Sequence, residues 1–148
     1  MSEIVSLREY RASGRAPVVL VIDDDFAVRQ ALSASLEDRG IDAVMARSGR
    51  QALATLRRTE PDLVLMDVAL PEEVAREAMR QIRRARPTAP IMAMSSSGAI
   101  GSGDLFARMP KLGADGVIAK PFDEDRLFAA VVDLLPRVPD GEPLAVAS

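Results

Sequence analysis

Three aspartates in a row, Asp23-Asp24-Asp25, follow directly on the apolar run Val18-Val19-Leu20-Val21-Ile22, and a fourth, Asp67, ends a second run, Leu63 to Met66. Ser95-Ser96-Ser97 follow a third at Met94, and Lys120 follows a fourth, Val117 to Ala119. Gathered carboxylates repel one another unless a cation lies between them. Hard oxygen donors without imidazole or thiolate suit Mg²⁺. A carboxylate, a divalent ion, a hydroxyl and an ammonium are also the parts that phosphoryl transfer needs. The carboxylate attacks, while the others take up charge on the equatorial oxygens of the transferred group. Each residue alone has a plainer reading: Asp25 could equally cap the next helix, serine after a strand is commonly loop, and a Lys-Pro pair is ordinary. All four elements in this order, each after an apolar run, are much harder to explain that way.

These residues act together only if the runs are strands of one sheet. An apolar run without alternation suits a strand covered on both faces, as in a parallel sheet. Between the runs lie helical stripes: Val28, Leu32 and Leu36, closed by Gly40; Ala52, Leu53 and Leu56 behind an N-capping Ser48; Val74, Ala78, Ile82 and Ala85, closed by Pro87. Ile41 to Ala46 adds a weaker strand, Ile91 to Met94 another, and Asp123 caps a last helix with Leu127, Val131, Leu134 and Leu135 on one face. Strands alternating with helices predict an α/β fold on a central parallel sheet. Such sheets bind ligands beyond the carboxyl ends of their strands, where these polar residues fall. Residues 17–136 form the predicted domain. Residues 1–16 are an extension, either a short helix through Ile4, Leu7 and Tyr10 or disordered, and 137–148 are expected to be a disordered tail.

Composition narrows the function. The 148 residues contain no Cys and no His, which excludes disulfides, thiolate nucleophiles, Cys/His zinc sites, a Ser-His-Asp triad and a histidine phosphodonor. A net charge of −3 gives no electrostatic reason to expect nucleic acid or an anionic membrane as partner. No run approaches the ~20 apolar residues of a membrane span. Met1 to Pro17 has no apolar core, so a cytoplasmic location is expected.

Taken together, Val21-Ile22-Asp23-Asp24-Asp25, Pro61 to Asp67, Leu70-Pro71, Gly113-Ala114-Asp115-Gly116 and Lys120-Pro121-Phe122 resemble the receiver domain of two-component response regulators, in a stand-alone, chemotaxis-regulator-like form. The resemblance covers residues 18 to about 135. It implies a flavodoxin-like, doubly wound fold with a five-stranded parallel sheet and Asp67 as phosphoacceptor. It also implies Mg²⁺ held by Asp23, Asp24, Asp67 and the backbone carbonyl of Ala69, and Ser95 and Lys120 on the phosphoryl oxygens. A cis Lys120–Pro121 bond belongs to the same pattern. The implied partners are a sensor histidine kinase or phosphotransfer protein and a downstream protein target. The implied activity is not that of an enzyme but self-catalysed, Mg²⁺-dependent phosphoryl acceptance and autodephosphorylation.

Four features depart from that pattern. The Met-Asp-Gly usual after Pro71 is Glu73-Val74-Ala75, which predicts an earlier helix start and puts Glu72 and Glu73 near the metal site. Val117 stands where the family has a switch aromatic. The loop Ser96 to Gly103 is long and glycine-rich, and Pro110 interrupts the Asp104–Leu112 helix segment. No effector domain is visible after the last helix. Val117 and the loop motivate the alternative of a phosphorylation-independent, receiver-like binding module. An aspartate-nucleophile phosphatase fits less well, since such enzymes resemble Asp-x-Asp-x-Thr/Val at the first strand and need a cap or further domain that 148 residues do not provide.

Overall fold

The computed structural model describes residues 2–68, 72–96, 110 and 112–136, with side chains for these apart from 2–6, 72 and 96. The elements are α1 (Ser2–Ala12), β1 (Val18–Ile22), α2 (Phe26–Glu37), β2 (Asp42–Ala46), α3 (Gly49–Thr55), β3 (Leu63–Asp67), α4 (Glu72–Ala85), β4 (Ile91–Ser96), β5 (Gly116–Lys120) and α5 (Glu124–Leu134). The five strands pair in parallel in the order β2-β1-β3-β4-β5. This is the expected flavodoxin-like fold.

Alternation along the strands divides the core into two layers. Val19, Val21, Leu63, Leu65, Met92, Met94 and Ile118 face α2 and α5. Leu20, Ile22, Val64, Met66, Ile91 and Ala93 face α3 and α4. Both sheet faces are therefore dry, which is why the strands read as unbroken apolar runs. The chain leaves β1 to build β2 on one side and β3 on the other. The crevice between the ends of β1 and β3 is thus the switch point at which doubly wound folds bind ligands.

The helix ends follow from side-chain chemistry. Asp25 caps α2 by accepting from Val28 N at 3.1 Å, Ser48 caps α3 through Gln51 N, and Asp123 caps α5 through Arg126 N. Gly40 takes a positive φ of 83° just beyond α2, a conformation that suits glycine. Gly49 is needed for a different reason. A Cβ there would stand 3.3 Å from Ala78 Cβ, so its absence lets α3 lie close against α4.

The predicted stripe on α4 needs correction. The residues buried there are Ala75, Met79 and Ile82, whereas Val74 is 47% exposed. Ile82 is buried as expected, Ala78 and Ala85 are partly buried against the same core, and Ala75 and Met79 take the place expected of Val74. Ile41 is fully buried yet precedes β2, its amide bonded to Leu36 O. At the N-terminus α1 packs against α5 and buries Leu7 and Tyr10. The Ser96–Gly103 loop beyond Ser96, the Asp104–Leu112 segment apart from Pro110 and Leu112, and the 137–148 tail lie outside the described residues.

Candidate functional site

The site lies at the carboxyl ends of β1 and β3. These strands pair with Ile22 opposite Met66, so Asp23 and Asp67 each follow directly on one partner of that pair. Oxygens of Asp23, Asp24 and Asp67 all lie within 4.8 Å of one another. Asp23 is buried, Asp67 half-buried and Asp24 exposed. Lys120, at the end of β5, reaches across the sheet and donates to Asp23 Oδ2 and Asp67 Oδ1, both at 3.2 Å. The Lys120–Pro121 bond that follows is cis.

One ammonium bonds two of the three carboxylates, and the electrostatics show the excess of negative charge. Burial, with the neighbouring Asp23 and Asp24 charges, holds the Asp67 carboxyl above its ordinary value although Lys120 pulls it down. Burial alone would lower the Lys120 ammonium; Asp67 and Asp23 outweigh it and raise it. The lysine is thereby kept cationic.

The loop carrying the acids is braced from below. Asp23 Oδ1 accepts from Asp25 N at 2.9 Å, and the Arg29 guanidinium donates to the Asp23 carbonyl at 2.6 Å. Residue types do not single out Arg29, because the group it bonds is a backbone carbonyl. Ser95 follows Met94, the register partner of Asp67, and stands opposite Ala119. It is 1% exposed, and its hydroxyl has no hydrogen-bond partner among the described residues. A buried hydroxyl left unpaired costs free energy, which is consistent with a group reserved for a ligand. Ala69 lies outside the described residues, as does the Glu72 side chain. Glu73 borders a cavity of about 760 Å³ between α3 and α4 whose wall includes Asp23, Asp24 and Asp67.

A family model described as "Response regulator receiver domain" matches residues 19–132. The chain belongs to that family. Curated relatives of this receiver include the response regulator MprA of Mycolicibacterium vanbaalenii, 35% identical over 121 residues, and the probable transcriptional regulatory protein TcrX of Mycobacterium tuberculosis, 30% identical over 127 residues. The alignments cover 80% and 86% of this chain but 50% and 53% of theirs, so the receiver spans about half the length of the curated relatives it matches. Among solved structures it resembles a response regulator from Thermotoga maritima, with a TM-score of 0.72 and 31% identity over 80% of this chain and 97% of the other. It also resembles the chemotaxis response regulator CheY4 of Vibrio cholerae, with a TM-score of 0.70 and 26% identity over 81% of this chain and 99% of the other.

The donor set of this receiver fits a hard divalent cation: three carboxylates converge, no nitrogen or sulfur ligand stands among them, and Lys120 neutralises only part of their charge. No helix among the described residues is long and apolar enough to cross a membrane.

Proposed function

We propose that this receiver accepts a phosphoryl group on Asp67 from a phosphohistidine of a sensor kinase or phosphotransfer protein. The observation that carries the reading is Lys120 Nζ held between Asp23 and Asp67 in a cluster with carboxylate charge to spare. Asp67 Oδ attacks phosphorus and a P–O bond forms. The P–N bond breaks, its electron pair leaves with the imidazole, and the imidazole takes up a proton. The product is an acyl phosphate, and water attack later returns the carboxylate and inorganic phosphate. Mg²⁺ bound by Asp23, Asp24, Asp67 and the Ala69 carbonyl would supply positive charge for the transferred oxygens. Lys120 leaves its carboxylate partners to pair with the phosphoryl group, and the Ser95 hydroxyl finds there the partner it lacks.

The phosphorus on the donor histidine must come within about 3–3.5 Å of an Asp67 oxygen, so the donor protein must cover the surface around Asp67. A groove of about 580 Å³ adjoins Lys120, lined by Val28, Ala31, Leu32, Pro121 and Phe122, and Phe26 is 65% exposed nearby at the start of α2. This apolar strip supports docking of the donor between α2 and the start of α5. The receiver then signals through contacts with a downstream protein, from a cytoplasmic location. Ser95 and Lys120 act on the phosphoryl group, and residues 17–136 are the unit that does so.

The half-buried Val117 favours one second reading, a module that binds its partners without phosphorylation, because no aromatic ring is present there to follow the Ser95 hydroxyl. Incubation with acetyl phosphate and Mg²⁺ separates the two. Labelling that disappears in Asp67→Asn supports the phosphoacceptor; an unlabelled wild-type chain supports the binding module.

A further inference from the structure

A basic stretch lies away from the acidic site. From Arg76 to Arg86, α4 and the residue after it carry five arginines against one glutamate, in a chain whose net charge is −3. Arg76, Arg80 and Arg84 recur every fourth residue and so share one face of the helix. That face borders a groove of about 590 Å³ whose other wall holds Pro110, Leu112 and Gly113, with Met79 beneath.

One wall of the groove is fixed. Arg83 donates to Ala89 O at 2.8 Å, to Gly113 O at 2.9 Å and to Asp115 Oδ2 at 2.6 Å, while Asp115 also accepts from Ile91 N. These bonds tie α4 to the starts of β4 and β5, the end of the sheet opposite Asp67. Arg83 is therefore used internally. Among the described residues Arg80 makes an exposed pair with Glu77 on its own helix, a contact of small net worth that a partner can replace. Arg84 is likewise exposed.

We infer that this groove is a docking surface for an acidic peptide segment. Its carboxylates would meet Arg76, Arg80 and Arg84, and an aliphatic side chain would point toward Met79 and Leu112. The spacing decides the class of partner. Four residues of helix rise about 6 Å, so the arginine row spans about 12 Å, which matches carboxylates repeated every fourth residue on an acidic helix. A duplex, with one charge per roughly 1.7 Å of axis, is bound by longer basic tracks, and no aromatic side chain for stacking on a single strand lines the groove among the described residues. The surface is separate from the acidic site and does not depend on the phosphoacceptor reading.

Selection of a random twelve-residue display library on the immobilised full chain tests the proposal, with the enriched peptides titrated against wild type and Arg80→Glu/Arg84→Glu. Both positions are exposed, so the double variant keeps its core, and unchanged acetyl-phosphate labelling of Asp67 verifies its fold. The expected result is enrichment of acidic peptides with one aliphatic anchor, whose affinity falls at least about tenfold in the variant. Neutral or basic peptides, no enrichment, or equal binding by the variant overturn the proposal. So does a random-sequence DNA duplex that binds as tightly and displaces the peptide. Self-association that the double variant abolishes would also overturn it, by assigning the groove to a second copy. Loss of labelling in the wild type with peptide binding intact would count against the phosphoacceptor alone.

Discussion

Asp62 and Asp67 stand at the two ends of one strand, five residues apart, and the protein treats them in opposite ways. Asp62, just before β3, is fully matched. Arg15 grips both its oxygens at 2.8 and 3.2 Å, and Val18 N donates to it at 2.8 Å. Arg15 also lies 5.0 Å from the centre of the Tyr10 ring, so the same pair ties the end of α1 to the sheet. Burial and the Asp62 charge push the Tyr10 hydroxyl far above its ordinary value, which keeps it neutral. Asp67, by contrast, shares one lysine with Asp23 and lies beside Asp24. The first carboxylate is a finished structural latch. The second shares its one ammonium with Asp23 beside a third carboxylate, an excess of negative charge that a proton or a bound cation would relieve, and that difference sets a carboxylate matched by the fold apart from one left with charge to spare.

The sharpest way to break the comparison is to exchange the losses. Asp24→Asn should reduce acetyl-phosphate labelling to background while raising the melting temperature of the metal-free protein, because repulsion is relieved. Asp62→Asn should leave labelling intact and cost about 1–3 kcal/mol in urea unfolding, since Arg15 loses its charged partner and one of the two oxygens that serve Arg15 and Val18 N becomes a donor. If both variants lower stability and both retain labelling, the two carboxylates do the same job and the distinction fails.

Metal addition should produce the next largest effect. At about 100 times its dissociation constant, Mg²⁺ should add about 2.7 kcal/mol to the wild type, and little to Asp24→Asn. A melting temperature indifferent to Mg²⁺ in the wild type would contradict the assignment of the cluster.

The pH dependence is smaller and has a definite sign. Asp67 binds its proton more tightly folded than unfolded, so the metal-free protein should lose stability as pH rises from 3.8 through the raised folded value. Asp67→Asn should flatten that slope. Lys120 works in another window: its contribution is complete below 10.5 and is lost as pH climbs through its raised folded value. The smallest effect belongs to Arg15→Ala, about 0.5–1 kcal/mol, because this side chain is half exposed.

How much was legible in the sequence follows from the same physics. The strands were plain because both sheet faces are dry, and the acids were plain because each ends such a run. On α4, Ile82 is legible as core, whereas Val74 advertises burial by type and Ala75 and Met79 achieve it by place. Asp25 could be read as cap or ligand from sequence, and the bond from Val28 N makes it the cap. The Arg15–Asp62 latch spans 47 residues, and no local pattern announces a contact of that separation. The Arg29 brace was closer at hand, six residues from Asp23, but its acceptor is a backbone carbonyl that residue types do not reveal.

The central claim is tested most directly by finding where the phosphoryl group goes. The full-length chain would be phosphorylated with acetyl phosphate in Mg²⁺, trapped by borohydride reduction of the acyl phosphate, digested and sequenced by mass spectrometry. Modification is expected at Asp67 alone, lost when EDTA replaces Mg²⁺. Modification at Asp23, Asp24 or Asp62, or undiminished modification in EDTA, would contradict it.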